Sequence, residues 1–230
     1  LDKGSLPKLD LEHPRVARRM LEVVDAWPEA GGWRLDAAHL YPHAFLRQFK
    51  RRAGRRFVLI EDWSLAPQYA AARLADGVTN FGFRENARTY FLEDASPETF
   101  LARTATSVRA YPKRFLECSW NFLDNHDTDR FVSIVGRERL ARALVLLFTL
   151  PGTPMLYHGI EAGLAGRNPA ESRRPMPWHE AAWDDALRAH VRALAALRRE
   201  APSLERGVFR PLAAENRSRS FVFERRLASE

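Results

Sequence analysis

Short apolar runs alternate with helical stripes along most of this chain, and that alternation restricts the fold more than any other feature. The runs are GWRLDAA (32–38), RFVLI (56–60), GVTNF (77–81), ECSWNFLD (117–124) and TPMLY (153–157). RFVLI is continuously apolar, as expected of a strand buried on both faces. A helix carrying Val16, Met20, Val23, Val24 and Trp27 on one face precedes the first run, with Pro14 in its first turn and Gly31 and Gly32 at its end. PHAFLRQFKRRAG (42–54) follows as a helix with Phe45 and Phe49 one turn apart and Gly54 as its stop. PQYAAARLAD (67–76) is helical in composition, and Ser96 caps a helix with Pro97 at its first position that runs to about Arg109. Leu140, Ala143, Leu144 and Leu147 form the next stripe, stopped by Pro151 and Gly152, and residues 184–200 form a long helix with Leu187, Val191 and Leu194 on one side. Strand–helix units in succession predict parallel strands joined by crossover helices.

Near Ser203 the pattern changes. GVFRPLAA (207–214) and SFVFERRL (220–227), separated by ENRSR, read as an antiparallel hairpin. An open doubly wound sheet would usually carry a Gly-rich phosphate loop after a strand, and none is present. Polar residues sit instead at the C-terminal ends of successive strands, where closed eight-stranded barrels keep their active sites. The expected fold class is therefore α/β, an incomplete (β/α)8 barrel over residues 1–203 followed by the start of an antiparallel β-domain over 204–230.

Composition excludes several other classes. The chain has 230 residues, 46% hydrophobic and 28% charged, which predicts a soluble globular protein. The longest apolar run, ALVLLFTL (143–150), is far short of the roughly 18 residues of a membrane span. The net charge is +7, but all but four of the 36 basic residues are Arg spread along the whole length, a compositional bias rather than a nucleic-acid footprint. The densest basic cluster, KRRAGRR (50–56), reads as a helix end running into a turn. Cys118 is alone, so it forms no internal disulfide and suggests no thiolate metal site. Residues 1–10 lack the basic-then-apolar order of a signal peptide and read as mid-domain; a cytoplasmic location is the expectation.

Three strand ends carry carboxylates. Arg34 and Asp36 are two apart and share a face if their run is a strand. In VLIEDW an apolar strand delivers Glu61 at its end, followed by Asp62 and Trp63. NFLDNHDTDR (121–130) crowds Asp124, Asp127 and Asp129 around His126, with Asp124 and His126 on one face of the expected strand. If these strands are neighbours, Asp36, Glu61 and Asp127 converge on one mouth. An Arg beside Asp36 favours its ionised form, which suits a nucleophile, and burial beside a Trp raises Glu61, which suits a general acid. Two carboxyls in such opposite environments about 5–5.5 Å apart are what a retaining glycosidase needs. A third carboxylate and a His can bind sugar hydroxyls, and Trp63 and Trp178 offer flat apolar faces to sugar rings. Two other readings stand beside this one. A lone acid at a strand end ordinarily caps the next helix, and His126 alone could be a satisfied core histidine. Carboxylates with a His also suit a hydrolytic metal site, although no H-x-x-x-H or similar spacing accompanies them.

At these residues the sequence resembles the α-amylase family of glycoside hydrolases, particularly its neopullulanase, cyclomaltodextrinase and maltogenic amylase branch. LPKLD (6–10) is similar to the segment before the family's fourth barrel strand, GWRLDAA to the nucleophile strand and EDW to the acid–base strand. FLDNHD is similar to the Asn-His-Asp strand, PGTPMLYHGIEAGLAGRNP (151–169) to the eighth strand and its loop, and RRPMPW (173–178) to the substrate-side motif after it. The resemblance implies barrel strands four to eight, with Asp36 as nucleophile, Glu61 as general acid/base and Asp127 as transition-state stabiliser. It implies that Arg34 orients Asp36 and that His126, Trp63 and Arg174 contact substrate, while Asp124 and Asp129 support. It also implies an α-glucan substrate of maltodextrin type, no nucleic-acid or membrane partner, and a homodimer of the full-length enzyme. No cofactor or metal is required by it; calcium near the leaving-group subsite has no support here, because His39 and Leu40 stand where Lys-His is common. The family's first three barrel strands have no counterpart in residues 1–230, so the chain reads as a portion of a longer enzyme, expected to be inactive alone. A glucosyltransferase with the same triad and a non-catalytic amylase-like scaffold are the rival functions.

Overall fold

The computed structural model describes residues 7–227, so Leu6 of the LPKLD segment lies outside them. Helices α1 (Pro14–Leu21) and α2 (Val23–Ala26) open the chain. The predicted single helix is broken at Glu22, and its buried face differs from the expected stripe. Ala17, Leu21 and Val24 are buried, whereas Val23 and Trp27 are exposed, Trp27 by 63%. The buried three also recur at helical spacing, and they pack with Phe45, Leu46 and Phe49 of the next helix.

Strand β1 (Gly32–Leu35) leads to helix α3 (His43–Ala53), which ends at Gly54. Gly54 has φ +64, and its N–H closes on the carbonyls of Lys50 and Arg51, the left-handed stop that a residue without Cβ adopts at low cost. Strand β2 (Phe57–Asp62) follows. Helix α4 (Pro67–Ala71) is shorter than residues 67–76, because the chain turns at Arg73 (φ 54) to bury Leu74 and Ala75.

After β3 (Gly77–Asn80) the chain enters α5 (Phe81–Phe91) without a loop. The expected strand included Phe81, but the Asn80 side chain accepts the Phe83 N–H at 3.0 Å and caps a helix there. Helix α6 (Pro97–Ala110) begins as predicted, with Ser96 Oγ accepting the Thr99 N–H. The run 117–124 is not a continuous strand. Glu117 and Cys118 close helix α7 (Lys113–Cys118), and only β4 (Trp120–Asn121) pairs. Strand alternation therefore does not carry on to Asp124 and His126: Asp124 is buried and His126 is not.

Helix α8 (Phe131–Val135) is separated from α9 (Arg137–Thr149) by Gly136, and the stripe Leu140, Ala143, Leu144, Leu147 on α9 is fully buried. Strand β5 is only Thr153–Pro154. Thr153 and Met155 donate their N–H groups to the carbonyls of Ser119, just before β4, and Asn121 of β4, while Pro154 between them has no N–H to donate. Helices α10 (Asn168–Ser172), α11 (Asp185–Glu200) and α12 (Pro202–Arg206) precede the hairpin β6 (Val208–Glu215) and β7 (Ser220–Arg226). Asp184 caps α11 by accepting the Leu187 N–H at 2.9 Å.

The five strands form one sheet in the order β1-β2-β3-β4-β5, all parallel, and β6 and β7 form the antiparallel pair. This is the α/β arrangement that the alternation predicts. Among the described residues, the buried apolar side chains gather in two clusters. One gathers α1–α4, α7 and the Val58, Ile60 and Val78 faces of β2 and β3. The other joins α5, α6, α9 and α11, and Phe209, Phe221 and Phe223 of the hairpin pack into it, with Phe221 stacked on Phe100 at 4.9 Å. Among the described residues, no helix is long and apolar enough to cross a membrane.

Leu147 lies fully buried in the second cluster. In the protein carrying this chain, Leu147→Ala is expected to cost about 2–5 kcal/mol of unfolding free energy, read from urea denaturation. A loss under about 1 kcal/mol would mean that this cluster does not hold the fold.

Candidate active site

The pairing of β1 with β2 builds the first half of the site. Leu35 lies opposite Ile60, so Asp36, one residue on, is level with Glu61. Trp33 and Leu35 face the helices with Val58 and Ile60, which leaves Arg34 and Glu61 on the other face. There the Arg34 guanidinium forks between two carboxyl groups. Its Nη1 makes a short hydrogen bond to Asp36 Oδ1, and its Nη2 lies 2.6 Å from Glu61 Oε1. The second approach is a charge contact without hydrogen-bond alignment. Glu61 Oε2 accepts the Ala37 N–H at 2.8 Å. Ala37 holds φ 44 and ψ 42, a left-handed conformation costing a non-glycine residue about 1–2 kcal/mol, and this conformation aims its N–H at Glu61.

The two carboxyl groups sit in opposite environments. The Asp36 side chain is 70% exposed and that of Glu61 is 4% exposed. Burial pushes the Glu61 carboxyl above its ordinary value. The Ala37 N–H and the Arg34 charge oppose that rise, and the Asp36 carboxylate adds to it through its charge. Glu61 is thus the member of the pair that holds a proton more readily than an ordinary glutamate.

The next two strands end in amides. Asn80 Nδ2 donates to Asn121 Oδ1 at 2.8 Å, and Asn121 Nδ2 donates to the Pro151 carbonyl at 2.8 Å, so buried side chains tie β3, β4 and the approach to β5 together. Asp62 is equally structural, accepting the Ser64 N–H and hydroxyl and, at 2.7 Å, the Tyr69 hydroxyl. Sequence reasoning misses the two asparagines because an amide at a strand end carries no charge signal.

Asp127 belongs to the loop after β4, so β3 stands between its strand and that of Glu61. No hydrogen bond or ion pair among the described residues joins it to Asp36 or Glu61. Its own partners are His126 Nε2 at 3.1 Å and Arg173 Nη2 at 2.7 Å, and Arg173 Nε also donates to the His126 carbonyl. Arg174, the arginine singled out by resemblance, instead uses its guanidinium on the carbonyls of Glu171 and Ala165 within its own segment. Asp129 accepts the Asn168 N–H at 2.7 Å and binds the same segment to the loop. Trp63 stacks on Phe81 at 4.4 Å with an interplanar angle of 17° and is 56% exposed; Trp178 is also exposed.

Beneath this loop lies a buried charged layer. Asp124 Oδ2 accepts the Phe131 N–H at 2.7 Å and closes the loop on the start of α8. Burial pushes the Asp124 carboxyl up to about 6 against the pull of that N–H, Arg130, Arg84 and His158. Arg130 is fully buried, donates to the His158 carbonyl at 2.5 Å and lies 4.1 Å over the Tyr157 ring. Among the described residues, no group of three or more His, Cys, Asp or Glu side chains is arranged to hold a metal ion.

Parallel strands with polar residues gathered at their carboxyl ends define a barrel-type α/β enzyme scaffold. The chain belongs to the alpha-amylase family: the model of the alpha amylase catalytic domain matches residues 1–202. It is 34% identical over 230 residues to neopullulanase 2 of Thermoactinomyces vulgaris, covering 96% of this chain and 39% of that protein. It is 33% identical over 228 residues to a cyclomaltodextrinase of Geobacillus thermopakistaniensis, covering 95% and 39%. Among solved structures, the cyclic alpha-maltosyl-(1→6)-maltose hydrolase of Arthrobacter globiformis, in complex with maltose, superimposes with a TM-score of 0.87 at 29% identity, covering 91% of this chain and 50% of that one. The chain thus spans about two fifths of the length of the curated relatives it matches, and its parallel sheet is part of a (β/α)8 barrel.

The elevated Asp124 carboxyl has a signed consequence. Its folded value is about 6 against an ordinary 3.8, so the folded state retains a proton that the unfolded chain releases between those values. Its stabilising contribution is full below about pH 3.8 and is lost as the pH rises through about 6. Asp124→Asn keeps an oxygen for the Phe131 N–H and removes the titration. Between pH 4 and 7 the difference in unfolding free energy should move by about 2 kcal/mol in favour of the variant. A pH-independent difference in urea denaturation would contradict the assignment.

Proposed function

We propose that the protein carrying this chain cleaves α-glucosidic bonds of maltodextrin-like glucans by double displacement with retention. The observation that carries the reading is the Arg34 fork: an exposed Asp36 carboxylate and a buried Glu61, its carboxyl raised by burial, share one guanidinium. Asp36 attacks the anomeric carbon and forms a glycosyl ester, while Glu61 gives its proton to the departing glycosidic oxygen. Esterification removes the Asp36 charge. That charge helps to raise Glu61, so its loss lowers the Glu61 pKa and suits it to the second step. Glu61 then takes a proton from water as the water oxygen displaces Asp36 from the anomeric carbon. Asp127, oriented by His126 and Arg173, meets the sugar hydroxyls and the developing positive charge. The exposed face of Trp63 packs against a sugar ring. The substrate class rests on the relatives named neopullulanase and cyclomaltodextrinase and on the hydrolase of a cyclic maltosyl-maltose.

In the full-length protein, Glu61→Gln is expected to lower turnover on maltodextrin by about 10²–10⁴-fold. Proton NMR of the wild-type reaction should show the α-anomer as the first product. Wild-type rates in the variant, or a β-anomer formed first, would remove the assignment. Product analysis with an added acceptor sugar separates hydrolysis from transfer.

A further inference from the structure

Away from the carboxylate site, a cavity of about 510 Å³ opens between α5, α9 and the turn of the hairpin. Its volume lies in the range of small-molecule sites, roughly 300–1,000 Å³. Four guanidinium groups line it: Arg139 and Arg142 from α9, and Arg217 and Arg219 from the β6–β7 turn. Asp94 is the acidic residue of the lining, and it faces Arg219 at 3.5 Å.

These arginines divide into two kinds. Arg139 and Arg219 form the frame. Arg139 donates to the Phe91 carbonyl, and Arg219 donates to the carbonyls of Tyr90, Asp94 and Ala95. The Tyr90 hydroxyl returns a bond to the Arg219 carbonyl at 2.8 Å, so the turn is pinned to the end of α5. Arg142 and Arg217 are the open pair. Among the described residues, the Arg142 guanidinium has only a 4.0 Å approach from Glu138 on its own exposed helix face, a contact worth little. The Arg217 side chain has no hydrogen-bond or ion-pair partner among the described residues, while its backbone N–H is held by Glu215 at 2.8 Å. The charge of Arg142 reaches the cavity wall, since it and Arg219 both act on the Tyr90 phenol. Leu146, Phe91 and Phe221 supply an apolar floor. Over such a floor, charge–charge attraction is screened less than at open surface.

We propose that this cavity binds a small organic phosphate, its phosphoryl group held by Arg142 and Arg217 and its apolar body resting on Leu146 and Phe221. Guanidinium forks match phosphate oxygens in pairs, and two of them mounted on pinned elements meet a dianion with little ordering cost. The cavity is too large for a bare ion, which is why a phosphate ester is assigned rather than inorganic phosphate. The site shares no residue with the proposed glucan site.

The full-length protein is titrated calorimetrically with phenyl phosphate, inorganic phosphate and phenol, in the presence and absence of saturating maltose. Saturable binding of phenyl phosphate is expected, tighter than either of the other probes, weakened by added salt and unchanged by maltose. Both open arginines are exposed, so Arg142→Gln/Arg217→Gln should keep the wild-type melting temperature and bind at least about tenfold more weakly, which corresponds to about 1.4 kcal/mol. If the double variant melts early, Arg217→Gln alone, in the turn, is used and should weaken binding several-fold. Undiminished affinity in the variant, equal binding of phenol, competition by maltose, or no saturation at millimolar concentration would each overturn the proposal.

Discussion

Parallel pairing of β1 with β2, in the register that sets Leu35 against Ile60, is the constraint on which the candidate active site depends. A slip of one residue would turn Arg34 toward the helices and Asp36 away from Glu61. Gly32 opposite Phe57 helps to hold the register, because a Cβ there would stand 2.4 Å from the Phe57 carbonyl oxygen. Burying the Glu61 carboxyl is unfavourable by itself, and the Ala37 N–H and the Arg34 charge offset that cost only in part. The residual imbalance is what makes Glu61 suited to proton transfer. The strained backbone of Ala37 and the raised Glu61 carboxyl are therefore two faces of one arrangement.

Further along the sheet, the constraint changes from charge to polar satisfaction. Asn80 Nδ2 donates to Asn121 Oδ1 inside the molecule, and Asp124 and Arg130 are buried in the segment after β4. Among the described residues, Asp124 Oδ1 and Arg130 Nε have no hydrogen-bond partner, yet the opposite charges of Asp124, Arg84 and Arg130 act on one another across the layer. Buried polar networks of this kind specify a conformation more than they stabilise it. Here they tie the loop carrying His126 and Asp127 to the segment from Tyr157 to Arg174, through Arg130 on one side and Arg173 on the other.

The well-patterned parts of the fold were legible in the residues. The stripe Leu140, Ala143, Leu144, Leu147, the Ser96–Pro97 helix start, the Gly54 stop and the 207–227 hairpin all follow from local periodicity and capping. The misreadings share one cause. Phe81, Glu117 and Cys118 belong to apolar runs that suit a strand or a helix equally; for Phe81 the choice fell to the local Asn80 cap, and for Glu117 and Cys118 to the close packing of Gly77, distant in sequence, against the end of α7, where a Cβ would lie 2.6 Å from the Cys118 carbonyl oxygen. In α1 and α2 two apolar stripes competed, and contact with α3 decided which was buried.

At the site, the residue types and their spacing by themselves marked Arg34, Asp36, Glu61, His126 and Asp127 as the candidates for chemistry, although His126 and Asp127 stand in the loop after β4 and not on its strand. They also carried the likeness to the alpha-amylase family. Only the tertiary structure decided that Ala37 donates to Glu61, that Arg173 rather than Arg174 reaches Asp127, and that Arg217 of the hairpin lines one cavity with Arg142 of α9. Periodicity along a chain reports which face a residue takes. Which residue then meets it across space depends on sheet register, loop conformation and packing between segments far apart in sequence, and no local pattern encodes those.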